Sequence, residues 1–273
     1  MASILNNVAA LGASRQLGIT SKGLEQTIER LTTGRRINKA SDDAAGLAIS
    51  NRLGADIRIA NQGRRNANDG NSYLQVADGV LEEVTSLLTR AAELAQQAQS
   101  GTISNTNRAS IDAEFQRIIT NIIDIGQSTK FNAQTVFDSG TTFTVAVASF
   151  SPIAVSVSSI STSATSALGL TAVTTALSSS ILAAAASTAI SSALDSVSSL
   201  RATIGAVQQQ LNSISNALGI QVENFTAAYS QIRDANISEE VTNLTKYQIL
   251  NQAGTAALSQ ANQAQQSILT LLR

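Results

Sequence analysis

The sequence predicts a mainly α-helical fold: a bundle of long helices with coiled-coil packing, a small β-hairpin region, and N- and C-termini that pair. Three observations predict this class. Apolar residues recur at three- and four-residue spacing over long stretches, the 273 residues include a single Pro, and only 3% of them are aromatic. The apolar content comes mainly from Ala, Leu, Ile and Val, which suits helices that pack closely.

Two segments, 74–98 and 197–225, carry the longest helical patterns. The apolar positions of the first are Leu74, Ala77, Leu81, Val84, Leu88, Ala91, Ala95 and Ala98. Those of the second are Val197, Leu200, Ile204, Val207, Leu211, Ile214, Leu218 and Phe225. A seven-residue repeat sustained this long keeps one seam facing a partner and predicts left-handed coiled-coil packing. A second stripe at Val80, Leu87 and Leu94 favours a bundle over a two-stranded coil. A third helix is predicted through 111–125, after a loop at 101–107.

The two ends of the chain carry weaker stripes. Gly12, Gly18 and Gly23 interrupt the N-terminal stripe and Gln265 interrupts the C-terminal one. Such helices bury little area alone, so we expect the ends to become ordered on assembly. The residues assigned to packing of the ends and to assembly are Ile4, Leu5, Val8, Leu11, Leu258, Ile268, Leu269, Leu271 and Leu272.

The middle of the chain has a different pattern. Apolar residues alternate over 143–147 and again over 153–157, with 149–152 between them, which predicts a β-hairpin. Residues 158–188 are rich in Ser, Thr and Ala, and we expect either a surface connection or a poorly ordered stretch.

Composition excludes several classes of function. Net charge is −1 and the chain has no His, Cys or Trp, which argues against thiol or imidazole catalysis, and against a transition-metal site. We therefore predict no catalytic residues, no metal and no cofactor. The pair Asp42-Asp43 is interpreted as part of a helix start, with Ser41 or Asp42 as the cap, rather than as an acid–base pair.

Two further patterns bear on partners. Arg35-Arg36 and Arg64-Arg65 could bind nucleic acid, but a near-neutral chain with few aromatics favours a role at a subunit interface. The N-terminus has neither a basic region nor an apolar core of signal-peptide type, and no window approaches about 18 consecutive apolar residues. We expect no cleaved signal peptide and no membrane insertion.

Several motifs resemble bacterial flagellins. Residues 31–50 (LTTGRRINKASDDAAGLAIS) and 65–70 (RNANDG) are similar to the N-terminal signatures of that family. Residues 248–255 (QILNQAGT), 261–263 (ANQ) and 269–273 (LTLLR) are similar to its C-terminus. The resemblance covers about 1–138 and 190–273, in the family's order, and there is no room for the outer domains of larger members.

The resemblance implies an architecture and a function. Residues 1–45 and 230–273 would form a discontinuous inner coiled-coil domain. Residues 46–229 would form an outer helical-bundle domain, which includes the variable segment at about 139–188. The chain would polymerise into the extracellular flagellar filament, the propeller for motility. Its partners would be other copies of itself, an export chaperone, the type III export apparatus, the filament cap protein and the hook-associated junction proteins.

The resemblance also implies recognition by a host receptor. Residues 89–96 are similar to the stretch through which Toll-like receptor 5 recognises many flagellins, and Arg90, Leu94 and Glu114 match its principal contact positions. Arg90 and Leu94 are four residues apart, so we expect them to share a helix face. Glu93 belongs to the same predicted surface, which we expect a neighbouring subunit to cover in the filament.

Three other classes of protein remain as alternatives. A hook–filament junction protein shares the coiled-coil ends but would not polymerise alone. A secreted enzyme displayed on a flagellin scaffold would need a catalytic insert, and 140–188 is short and poor in acidic residues, His and Cys. Another secreted coiled-coil structural protein, such as an adhesin, would not need its two ends to pair.

Overall fold

A computed structural model describes residues 7–137, 142–148, 150–156, 160 and 177–271, with backbone alone for 142, 155, 156 and 266–271. This part of the chain contains the helices α1 (Val8–Thr33), α2 (Ala44–Gln99), α3 (Asn105–Ser128), α4 (Ser180–Arg233) and α5 (Ile237–Leu271). The short strands are β1 (Lys130–Phe131), β2 (Gln134–Thr135), β3 (Thr142–Val145) and β4 (Ile153–Ser156). The predicted mainly α-helical fold with a small hairpin region is confirmed.

The chain divides into two compact units. Unit 1 comprises Met1–Ile57 and Glu223–Arg273, and unit 2 comprises Arg58–Val222. The sequence-based bounds, 1–45 with 230–273, gave unit 1 less of α2 and α4. The first boundary falls inside α2 and the second inside α4, so no helix end marks either boundary in the sequence.

Local side-chain bonds set the helix ends. The Asn7 side chain accepts a hydrogen bond from the Ala10 amide at 2.9 Å and caps α1, and Gly34 ends α1 with a φ of 68°. That left-handed conformation suits a residue without Cβ. At the start of α2, the Asp43 carboxylate accepts from the Gly46 amide at 2.9 Å. The cap is therefore Asp43, and the prediction of Ser41 or Asp42 is wrong.

Asp42 accepts hydrogen bonds within the loop that precedes α2. Its Oδ2 accepts hydrogen bonds from the backbone amides of Asn38, at 3.1 Å, and Lys39, at 2.9 Å. The bonds to Lys39 and Asn38 hold the pKa of the Asp42 carboxyl below its usual value because they favour the charged form. Asp42 shapes the loop before the helix, and Asp43 starts the helix.

The core of unit 2 follows the predicted seam of α2. All eight predicted positions from Leu74 to Ala98 are buried, and so are Val197, Ile204, Leu211 and Leu218 on α4. The third helix is confirmed as α3, with Phe115, Ile118, Ile119 and Ile122 buried. The helical bundle is thus built on the periodicity that the sequence displays.

The beginning of α4 differs from the prediction. The helix begins at Ser180, inside the segment 158–188 that was expected to be a connection. Ala183, Ala186, Ile190 and Ala193 continue its seam and are buried. Small Ala side chains give little hydrophobic contrast, so the sequence pattern understated a helix that closely packed neighbours stabilise. Residues 161–176 of that segment lie outside the described residues.

The predicted hairpin is present as β3 and β4. The strands pair antiparallel, with Phe143 opposite Val155 and Val145 opposite Ile153. It packs against α2 at two glycines: a Cβ on Gly63 would lie 2.8 Å from Ala148 Cβ, and one on Gly70 would lie 2.8 Å from Val145 Cγ2. The glycines therefore let the hairpin approach the helix backbone closely.

Tyr73 lies under the same hairpin. Its ring stacks on Phe143 with centroids 4.4 Å apart and meets Phe131 edge-on at 5.6 Å. Its hydroxyl donates a hydrogen bond to the Val136 carbonyl at 3.2 Å, and burial raises the pKa of the phenol. The small β1–β2 pair, which the sequence analysis missed, is joined to the bundle through this ring cluster.

Helix α4 also contains an 18-residue window with a mean hydropathy of 1.3, long and apolar enough to cross a membrane by composition alone. Core helices of water-soluble proteins pass the same test. Of that window, 28% is buried, and the buried seam of α4 from Ala183 to Leu211 belongs to the core of unit 2.

Candidate interaction surfaces

Unit 1 is built around the pairing of α1 with α5. Three contacts show that the two helices run antiparallel. The Asn7 side chain donates to the Ala261 carbonyl at 3.1 Å, Asn251 donates to Ser21 Oγ at 3.1 Å, and Arg30 forms an ion pair with Glu240 at 3.2 Å. The paired termini that the sequence predicted are therefore present.

The seam between these helices is polar and contains small residues. Thr20 and Thr27 are the buried residues of α1 in the described part of the chain, and each hydroxyl bonds within its own helix. A Cβ on Gly23 would lie 2.7 Å from the Tyr247 ring, so the missing side chain makes room for that ring. The pair buries little large apolar surface, which fits a marginal helix pair.

A short backbone ladder joins the two connections of unit 1. The Arg36 amide donates to the Arg233 carbonyl at 2.7 Å, and the Ala235 amide donates to the Gly34 carbonyl at 3.0 Å. The Arg36 guanidinium adds a bond to the Ile232 carbonyl at 2.9 Å. Of the pair Arg35-Arg36, the second arginine thus serves the fold of the chain itself.

Large apolar side chains project from both helices of unit 1 into solvent. Val8 is 72% exposed, Leu11 is 64% exposed and Ile249 is 60% exposed. Among the side chains that the structure describes on these two helices, the exposed large apolar ones are Val8, Leu11, Ile19 and Ile28 on α1, with Ile237, Val241, Ile249 and Leu250 on α5. Val241, Ile249 and Leu250 border one shallow depression together with Thr242, Thr245 and Lys246. An apolar surface of this kind on a polar helix pair marks a protein–protein interaction site.

The residues predicted for packing of the ends fall into three groups. Val8 and Leu11 are exposed, and Leu258 is half-buried. The side chains of Ile268, Leu269 and Leu271 are not described, although their backbone is helical, and Ile4, Leu5 and Leu272 lie outside the described residues. Val8 and Leu11 therefore contribute little to packing within one chain and are available to other molecules.

The predicted receptor residues form an ion-pair cluster in unit 2. Arg90 Nη2 lies 2.8 Å from Glu114 Oε1, and Arg90 Nη1 lies 2.9 Å from Glu93 Oε2. All three side chains are at least half exposed. The hydrogen bonds to Glu114 and Glu93 raise the pKa of the Arg90 guanidinium because each carboxylate favours the charged form.

Leu94 departs from the expected geometry. It is 2% exposed and belongs to the core of unit 2, so it does not share a surface with Arg90. Four residues turn a helix by about 400°, which leaves a 40° offset, and that offset is enough to carry Leu94 from the exposed side into the contact with neighbouring helices. The expectation that Leu94 shares an exposed helix face with Arg90 is wrong.

One charged residue in this region was missed. Arg108 is buried and donates to the Ala98 carbonyl at 2.9 Å, to the Ser100 carbonyl at 3.3 Å and to Asn105 Oδ1 at 2.8 Å. It satisfies carbonyls at the end of α2, where the helix dipole favours a cation. Because Arg108 lies in the first turn of α3 and bonds back to the end of α2, it also fixes the turn that places Glu114 opposite Arg90. An arginine in the polar first turn of a helix gives no sequence signal for such burial.

Two family models match the chain. The one described as the bacterial flagellin N-terminal helical region matches residues 4–142, and the one described as the C-terminal helical region matches residues 187–272. The matched ranges contain α1, α2, α3, α5, all of α4 except its first seven residues, and the Arg90–Glu114 cluster.

Full-length relatives agree with these models. The chain is 39% identical to a flagellin of Halalkalibacterium halodurans and 35% identical to the flagellar filament 33 kDa core protein of Treponema phagedenis, over 99% of both chains in each case. A crystal structure of Bacillus cereus flagellin aligns with 60% of this chain and 94% of its own, with 26% identity and a TM-score of 0.49. The chain therefore belongs to the bacterial flagellin family, whose members are structural proteins of the flagellar filament and not enzymes.

Proposed function

We propose that the chain polymerises into the flagellar filament through the exposed apolar residues of α1 and α5. The observation that carries this proposal is the outward surface of the helix pair, where Val8, Leu11 and Ile249 are well exposed. A helix pair with a polar seam gains stability when neighbouring copies cover such side chains. Heterologous contacts between identical subunits that do not close into a ring extend as a helical filament.

Seeded growth tests the assembly surface. Ile249→Glu places a charge on the outward side of α5, and Gln252→Glu adds the same charge at an exposed polar position of the same helix. We expect the Ile249 variant to lose elongation on sheared filament ends, and the Gln252 variant to retain it. Circular dichroism checks that both are folded. Elongation of the Ile249 variant at the unmodified rate would refute the role of this surface.

The same assay addresses the competing function. A junction protein would bind filament ends without growing on its own copies. If the unmodified chain binds filament ends and yet fails to elongate seeds of its own filament, that result would favour a junction protein over a filament subunit.

Export and location follow from the filament proposal. The chain would leave the cell through the type III apparatus, with a chaperone on its C-terminal segment, and would join the extracellular filament beneath the cap, above the junction proteins. The polar α1–α5 seam supports this, because a marginal helix pair unfolds at little cost. Detection of an intact Met1 or Ala2 terminus in filaments is the expected result, and a mature protein that lacks a 15–30-residue leader would contradict it.

We also propose recognition of the subunit by Toll-like receptor 5 through the cluster of Arg90, Glu93 and Glu114. The support is an exposed guanidinium on unit 2 whose two carboxylate partners are also exposed. An Arg at the centre of an interface is a frequent energetic hot spot. The buried Leu94 would contribute by holding α2 in place.

The receptor proposal has a matched test. Arg90→Ala should weaken binding of the monomer by about tenfold or more, whereas Arg52→Ala, at an exposed arginine of unit 1 away from the cluster, should leave binding unchanged. Intact filaments should bind less than monomers, because a neighbouring subunit would cover the cluster. Equal signalling by the folded Arg90→Ala monomer and the unmodified protein would rule out this assignment.

A further inference from the structure

The outer side of α2 carries two charged doublets of opposite sign. Arg64-Arg65 and Glu82-Glu83 are all exposed, and they are 18 residues apart in each case. Eighteen residues make five turns of an α-helix, so Arg64 lies in line with Glu82, and Arg65 with Glu83. The two doublets are thus about 27 Å apart along one face. We call the surface formed by these four residues the doublet face.

The fold of unit 2 leaves this face largely unused. Arg65 bonds to Gln62 one turn earlier, and Glu82 lies 3.5 Å from Arg201 with a side chain that is 74% exposed. The side chains of Arg64 and Glu83 form no hydrogen bond or ion pair with the described residues of the chain. Two arginines and two glutamates therefore face solvent without a strong partner.

The surface between the doublets suits close approach of another helix. Ser72, Val76 and Gly79 are exposed there, and a Cβ on Gly79 would meet nothing within 4 Å. Small residues let two helices approach closely. Asp69 is the exposed acidic residue in this stretch, and it offsets part of the charge of the arginine doublet without changing its sign.

We propose that the doublet face binds the doublet face of a second copy of this chain, with the two α2 helices antiparallel. A twofold axis near the midpoint between residues 73 and 74 would bring Arg64 opposite Glu83 and Arg65 opposite Glu82. Because the axis exchanges the copies, each pairing occurs twice. A parallel, unshifted copy would instead place arginine against arginine and glutamate against glutamate.

This contact differs from polymerisation. An isologous interface uses the same patch on both copies and closes as a dimer, so it pairs free subunits rather than extending a filament. Exposed ion pairs contribute little individually and are screened by salt. The association should accordingly be weak and should depend strongly on ionic strength.

Charge exchange tests the pairing. The variant R64E/R65E has acidic doublets at both positions, and E82K/E83K has basic ones, so each should fail to self-associate. Their equimolar mixture restores opposite charges at all four places, and we expect it to associate as tightly as the unmodified chain. The readout is analytical ultracentrifugation of unseeded subunits at low salt, with electron microscopy to show that filaments are absent.

A control variant and three refuting outcomes complete this experiment. R117E/K130E makes the same change in net charge at exposed positions away from the doublet face, and it should retain association within about twofold, because surface charges far from an interface act weakly. Self-association of either doublet variant at the unmodified strength, or a mixture no tighter than its components, would overturn the proposal. So would an unmodified chain that stays monomeric at low salt.

Engineered thiols test the antiparallel direction independently. The chain has no Cys, so single Ser→Cys variants report on one contact each. Two copies of Ser72 would be offset by about 4.5 Å along the helices, and two copies of Ser86 by about 37 Å. Mild oxidation should therefore join the Ser72→Cys variant into a dimer but not the Ser86→Cys variant, since a disulfide needs Cα atoms within about 7 Å. Equal cross-linking of both, or of neither, would refute the antiparallel arrangement.

Discussion

Replacing Leu88 by Ala tests whether the seam of α2 holds unit 2 together. Leu88 is completely buried, so the truncation removes one methine and two methyl groups from the core. At about 0.8 kcal/mol for each buried carbon, the loss of transfer free energy is roughly 2.4 kcal/mol. A cavity that does not collapse adds to this, and comparable Leu→Ala changes cost about 2–5 kcal/mol. For a unit of this size, each kcal/mol lowers the melting temperature by about 2–4 °C. The expected shift is therefore roughly 5–15 °C downward.

The neighbouring residue supplies the control. Thr89 is exposed, and its hydroxyl bonds only to the Thr85 carbonyl one turn back. Thr89→Ala should change stability by less than about 0.5 kcal/mol. Thermal unfolding of the full chain by circular dichroism measures both variants, and hydrogen exchange along α2 shows that the affected unit is unit 2. Equal shifts in melting temperature for the two variants would show that the seam has been assigned to the wrong face.

Three further changes have definite expected outcomes. Gly23→Ala places a methyl group about where the Tyr247 ring lies, so limited proteolysis should cut α1 faster, while Gly12→Ala, with open space around it, should be cut no faster than the unmodified chain, because Ala favours the helix over Gly. Arg108→Met leaves two carbonyls and an amide oxygen without their donor, which should cost about 2–3 kcal/mol in chemical denaturation. Tyr73→Phe should cost about 1 kcal/mol at neutral pH. Because the folded pKa of Tyr73 is raised, its stabilising effect is complete below the unfolded value of about 10 and falls above it, so the two proteins should converge at alkaline pH; a constant difference would contradict burial of the phenol.

Periodicity was sufficient to predict the helices wherever large apolar residues carry it. Leu81 and Leu88 stand out against polar neighbours, so the sequence locates the buried side of α2 directly. Ala186 and Ala193 occupy equivalent buried positions in α4, but Ala is also common on exposed helix surfaces. The first turns of α4 therefore looked like low-complexity sequence, and only tertiary packing distinguishes them.

The interaction surfaces were predicted less completely, for geometric reasons. Spacing placed Arg90 and Leu94 on one helix face, but a face that is partly covered by another helix contains both exposed and buried positions. The position of α3 beside this face depends on the turn between α2 and α3, which Arg108 stabilises. No local sequence pattern reveals that turn. Likewise Asp42 and Asp43 are equally good helix caps by residue type, and only the path of the preceding loop assigns the role to Asp43.

The pairing of α1 with α5 has a consequence for the order in which the chain folds. The bond between Ser21 and Asn251 joins residues 230 positions apart, so α1 has no partner until α5 has been synthesised. Closing so long a loop is slow compared with the local contacts of α2 and α3. During synthesis, at about 5–20 residues per second, α1 therefore remains unpaired for more than about ten seconds even at the faster rate. Unit 2 can be complete in that interval, and unit 1 is the last part of the molecule to form.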